Sequence, residues 1–173
     1  DATRLKSHLF DFSAQMEASS ASGISVLRIG LKQPALIGAE TAGADLKVTI
    51  GTNVASKAAA IGFARNQDDP KRASLTTLLP GSDRLLSLTD PVTGDALLVV
   101  PGNSGHAVAA ERDYAEFAAL PTASGLVITP YADDLSVTVA HERITVTRPG
   151  GLSLTPLLTP VEETPAAMAA ERN

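Results

Sequence analysis

The sequence predicts an all-β fold, antiparallel sheets arranged as a sandwich or a small propeller-like set with at most one short helix, and three observations carry that expectation. Asp45-Leu46-Lys47-Val48-Thr49-Ile50 and Asp134-Leu135-Ser136-Val137-Thr138-Val139 both alternate apolar and polar residues, the pattern of a strand with one buried and one wet face. Asp95-Ala96-Leu97-Leu98-Val99-Val100 is a looser copy, apolar on both parities, as a strand covered on both sides would be. Hydrophobic residues make up 44% of the chain but aromatics only 3%, so the core must be built from Leu, Val, Ile and Ala.

Taken in chain order, residues 6–13 with Leu9, Phe10 and Phe12 read as a first strand, and residues 24–31 as a second that Pro34 ends. Residues 46–50 follow, with 58–64 as their expected partner. Asn66-Gln67-Asp68-Asp69-Pro70 is a polar loop with a turn-initiating Asp-Pro. Residues 74–79 and 85–89 are short strands separated by Pro80-Gly81-Ser82-Asp83, and Asp90-Pro91-Val92-Thr93-Gly94-Asp95 is a hairpin-type connection to 96–100.

Residues 107–120 admit two readings. Ala109-Ala110-Glu111-Arg112 favours helix, whereas 114–120, running through a short Gly-containing connection into 126–129, favours a strand hairpin, and the hairpin is the expectation adopted. Residues 135–147 form the best-defined hairpin, with Leu135, Val137, Val139, Ile144 and Val146 facing the core and a Thr-rich face outward. Pro156, Pro160 and Pro165 interrupt the remainder. The expected organisation is an all-β domain over 1–151 and a Pro/Ala-rich tail or linker over 152–173.

The 173 residues are enough to bury a core without staples. A net charge of -5 with singly scattered basic residues excludes the clustered cations that nucleic acid or an anionic membrane surface requires. No apolar run approaches the ~20 residues of a spanning helix. The absence of cysteine removes disulfides, thiolate metal sites and cysteine nucleophiles. The chain opens on Asp1 with no secretory n-region or h-region, as an excised fragment or a mature form would.

The three Asp-led copies lie at unequal spacings. A blade-like repeat of about 40–50 residues is one reading, and a turn that enters a strand in the same way three times is the plainer one.

Candidate chemistry is sparse. Pro101-Gly102-Asn103-Ser104-Gly105-His106 resembles the Pro-Gly-Asn-Ser-Gly-Gly segment around the nucleophile of trypsin-like proteases of the high-temperature-requirement family, and His8 and Asp45 precede Ser104 in that family's order. Three departures weigh against it: His106 replaces Gly, His8 lies too near the chain start, and an Ala-rich charged stretch follows Ser104. A serine protease-related domain using Ser104 is therefore the alternative, and a Gly-rich surface loop the plainer reading. His8, His106 and His141 lack zinc-ligand spacing, and the pairs Asp68-Asp69 and Asp133-Asp134 lack the spaced pattern of a calcium loop, so no metal or other cofactor is expected.

Leu9-Phe10-Asp11-Phe12, the stretch Leu88-Thr89-Asp90-Pro91-Val92-Thr93-Gly94-Asp95 continuing to Pro101, Tyr114-Ala115-Glu116-Phe117 with 120–127, and Arg148-Pro149-Gly150-Gly151-Leu152 resemble the all-β region of large alphaproteobacterial cell-envelope proteins. In those proteins the region precedes tetratricopeptide repeats and opens like an amidase N-terminal (AMIN) domain. The resemblance implies a periplasmic, non-enzymatic interaction or assembly module whose partner is an envelope protein or peptidoglycan. Because rings for sugar stacking are few, recognition is expected at a strand edge or loop surface. The expected contact surface is Thr138, Thr145 and Thr147 with Arg143 and Arg148 at its ends, against the plainer reading of a solvated sheet face.

Overall fold

The computed structural model describes residues 13–21, 24–43, 45–52, 54, 58–90 and 92–155. Among them the chain forms strands and one 3-10 turn, Pro70–Arg72, whose first turn is capped by the Asp69 side chain accepting from the Lys71 amide at 2.9 Å. No α-helix forms there, and the all-β expectation holds.

Two sheets share one core. The first contains β6 (Ala64–Asn66), β7 (Ser74–Leu78), β14 (Ser136–Ala140) and β15 (Arg143–Thr147) in the order β14-β15-β7-β6. The second contains β8 (Leu86–Thr89), β9 (Ala96–Val100), β11 (Arg112–Asp113), β12 (Phe117–Leu120) and β13 (Leu126–Pro130) in the order β11-β12-β13-β9-β8. All pairings in both are antiparallel. Alternation decides which side chains meet between them. Leu75, Val137, Ile144 and Val146 come from the first sheet, and Val100, Phe117, Ala119, Leu126 and Ile128 from the second.

A parallel pair, β5 (Ala59–Ala60) with β10 (His106–Ala107), delivers Ile61 and Val108 into the same core. Residues 58–64 therefore do not partner 46–50 as expected. That strand, β4 (Asp45–Gly51), pairs instead with β3 (Leu36–Ala42), and β1 (Ser13–Ala21) pairs with β2 (Ile24–Leu31). β1 is rich in Ala and Ser, and β3 carries two Ala and a Gly in seven residues, so intrinsic preference does not mark them. The expected strand at 6–13 lies outside the described residues except for Ser13.

The Asp-led copies become β4, β9 and β14, in three different sheets with different neighbours. The arrangement is a sandwich with added hairpins rather than blades. The hairpin expected at 114–129 is present as β12–β13, which decides that stretch for strand.

The packed chain runs past the expected boundary at 151. Leu152 is 4% exposed and belongs to the core, its amide donates to the Ala73 carbonyl at 2.9 Å, and Leu154 packs against the same cluster. The Thr155 carbonyl accepts from Arg65 Nη1 and Gln67 Nε2, which lays 152–155 beside β6. The close passage of Gly151 makes this possible: with φ at 84°, a Cβ there would meet the Pro70 carbonyl oxygen.

Candidate functional site

The Thr-rich face is assembled much as the sequence suggests. Thr138 stands opposite Thr145 and Thr145 opposite Thr76, so three threonines cross the outer face of the four-stranded sheet in one row. Thr138 is exposed while Thr145, Thr147 and Thr76 are half-buried. Thr76 was not anticipated; its parity in Ser74-Leu75-Thr76-Thr77-Leu78 is ambiguous until the partner strand is known.

The two arginines differ. Arg143 is exposed at the start of β15. Arg148 turns onto the molecule, with Nη2 at 3.0 Å from Asp134 Oδ2 and Nη1 at 3.6 Å from Glu116 Oε1. Glu116 is 3% exposed, and the same Oε1 accepts the Ser153 amide at 2.9 Å. A buried carboxylate needs such partners, and its Oε2 has none among the protein groups. Arg148 is thus an internal counter-ion tying β15 to the 134 turn, the 116 corner and the 152–155 segment.

Ser104 donates to or accepts from the Thr41 hydroxyl at 2.6 Å, a contact that fastens the β3–β4 hairpin to the 101–106 loop. This neighbour offers no base. Asp45 pairs with Ala42 across that hairpin, His8 lies outside the described residues, and the His106 Nδ1 is buried without a hydrogen-bond partner. Among the described residues no three His, Asp or Glu side chains gather as metal ligands. The acidic pairs serve turns and ion pairs instead: Asp69 caps the 3-10 turn, and Asp134 holds Arg148.

The hairpins carry the least expected surface. Residues 45–50 have the alternation of a half-buried strand, yet Leu46 is 63% and Val48 52% exposed. Their cross-strand partners are Thr41 and Ala39, and Ile50 pairs with Ile37, itself 48% exposed. One face of β3–β4 therefore carries an exposed aliphatic strip of Ile37, Leu46 and Val48, with Thr41 on the same face reaching Ser104, while Glu40 and Lys47 stand opposite each other on the reverse face. Leu27 on β2 adds a further exposed aliphatic side chain.

The described aromatics offer little by contrast. Tyr114 stacks on Phe117 with centroids 4.6 Å apart and meets the edge of Phe63 at 6.1 Å, and Arg112 covers Phe63. Only Tyr131 in this group is strongly exposed, at 57%, with its hydroxyl donating to Asp113 at 3.2 Å. A cleft of about 470 Å³ opens between β2 and the 90–97 turn, lined by Glu17, Arg28, Asp90, Val92 and Leu97. Its guanidinium is already committed, since Arg28 Nη2 donates to the Thr89 carbonyl at 3.0 Å.

Compared with protein-family models, curated proteins and solved structures, the chain matches none. No helix among the described residues is long and apolar enough to cross a membrane.

Proposed function

We propose that this chain is a non-catalytic interaction module of the bacterial cell envelope that docks a protein partner on the aliphatic face of β3–β4. The observation that carries the reading is the exposure of Ile37, Leu46 and Val48 on one side of a two-stranded hairpin. A hairpin of two strands is marginal in water by itself, and an open apolar strip is the signature of a surface that another surface covers. The strip is aliphatic, without rings or charges, so the chemistry it fits is an apolar protein surface; a glycan would be met by polar groups and exposed rings. The envelope assignment rests on the resemblance in sequence.

Immobilised wild-type chain and a Leu46→Glu, Val48→Glu variant, incubated with an envelope extract, test the reading. A protein retained by the wild type and by a Lys47→Glu control on the reverse face, but lost from the double variant, is the expected result. The same proteins on all three would overturn it. Fluorophosphonate labelling tests the non-catalytic part: covalent labelling that Ser104→Ala abolishes would establish the serine-hydrolase alternative.

A further inference from the structure

We infer that β14 is a pairing edge at which a second copy of this chain adds antiparallel, about a two-fold axis through Thr138. This goes beyond the reading above and uses a different surface.

The hydrogen-bond phase of the β14–β15 hairpin sets up the edge. Ala140 lies opposite Arg143 across the His141-Glu142 turn, whose φ angles of 50° and 60° are those of a type I′ connection. In that turn the flanking pair is hydrogen-bonded, so Thr138 and Ser136 also point their backbone groups at β15. Val137 and Val139 then point both N–H and C=O outward, and no other described strand lies beyond them. Their side chains meanwhile face the core.

The other long edges of the two sheets have neighbours. Arg65 and Gln67 hold the Thr155 carbonyl beside β6, and Arg28 reaches the Thr89 carbonyl at the end of β8. β14 carries neither device. Ser136, Thr138 and Ala140 are exposed and small, and the strand has no Pro, Lys or bulge of the kind that protects natural edges.

Self-complementarity selects a second copy as the occupant. A two-fold axis at Thr138 places Val137 opposite Val139 of the second copy, and Val139 opposite its Val137, as hydrogen-bonded pairs. All four outward backbone groups on each edge are then satisfied. The valine side chains meet on the core side, and Thr138 meets its equivalent on the wet side. Asp133, before one strand, comes beside the turn of the other, where Arg143 is exposed and the neighbouring Glu142 carboxylate accepts from the Gly81 amide at 2.7 Å.

The experiment is sedimentation equilibrium of the full chain with Thr138→Lys and Thr138→Asp variants. The side chain is exposed, so at concentrations where all three chains are monomeric both variants should melt within a few degrees of the wild type. The wild type is expected to pass from monomer to dimer mass as concentration rises, and each variant to remain monomeric where the wild type is dimeric. An equimolar mixture of the two variants should recover the dimer through Lys-Asp apposition. In the dimer the Val137 and Val139 amides should exchange with solvent more slowly than in the monomer. A wild type that stays monomeric at every concentration reached overturns the inference, as does a dimer that survives Thr138→Lys. A dimer lost only in the Leu46→Glu, Val48→Glu variant would assign self-association to β3–β4 and likewise overturn it.

Discussion

Arg148 Nη1 stands 3.6 Å from Oε1 of Glu116, a carboxylate that is 97% removed from solvent by its 3% exposure. The pair joins the end of β15 to the corner before β12. Removing the cation leaves a buried charge with the Ser153 amide as its remaining donor. Because the arginine side chain is itself 32% exposed, the expected cost of Arg148→Ala is about 2 kcal/mol, below the 3–5 kcal/mol of a fully buried pair. Arg148→Lys should recover only part of it, since an ammonium cannot reproduce the fork that reaches Asp134 as well. Denaturant melts of the two variants check both statements; a wild-type midpoint for Arg148→Ala would mean that the ion pair contributes nothing.

Truncation after Gly151 should lower the melting temperature well below that of truncation after Thr155. The shorter chain loses the buried Leu152, for which about 1.5–3 kcal/mol is the ordinary value of burial. It also deprives Glu116 of the Ser153 amide. Equal melting temperatures for the two truncations would show that 152–155 packs too loosely to matter.

The two faces of β14 make a sharp contrast. Val137→Asp would bury an unpaired carboxylate at a position only 8% exposed and cost several kcal/mol, whereas Thr138→Asp on the open face should cost under about 1 kcal/mol. Thermal unfolding at low protein concentration compares the folds alone, free of any edge pairing.

The turn between β14 and β15 stores strain. His141 and Glu142 both sit at positive φ, a region that costs most L-residues about 1 kcal/mol or more. Glu142 is held there by two contacts, its carbonyl accepting from the Leu79 amide and its carboxylate from the Gly81 amide. His141 is exposed at the tip. His141→Asn should therefore raise stability by about 0.5–1 kcal/mol, and Glu142→Gly should gain far less because it gives up the Gly81 contact. Urea midpoints for the pair test the assignment of turn type.

The Tyr131 phenol titrates above the ordinary tyrosine range, through partial desolvation and through its hydrogen bond to the Asp113 carboxylate, which favours the neutral form. The contribution to stability is therefore present below the unfolded pKa and is lost as pH rises through the folded one. Ultraviolet titration of the wild type against Asp113→Asn should show the Tyr131 transition moving down in the variant. An unmoved transition would show that Asp113 has no hold on it.

Local pattern was enough to determine the all-β class, the β14–β15 hairpin and its buried face, the β8–β9 connection and the placing of Thr138 and Thr145 on one surface. Each of these depends on neighbours a few residues apart, where a period of two and a turn-forming pair leave little choice. Only the tertiary structure decided the partner of β4, the strands β1 and β3 in their Ala-rich sequences, the burial of Leu152, and the fate of Arg148. Those outcomes depend on segments distant in the chain: Arg148 meets Glu116 only because the start of β12 and the end of β15 lie on the same side of one core, and a strand with a perfect alternation, such as β4, keeps Leu46 and Val48 exposed where no second layer among the described residues covers them.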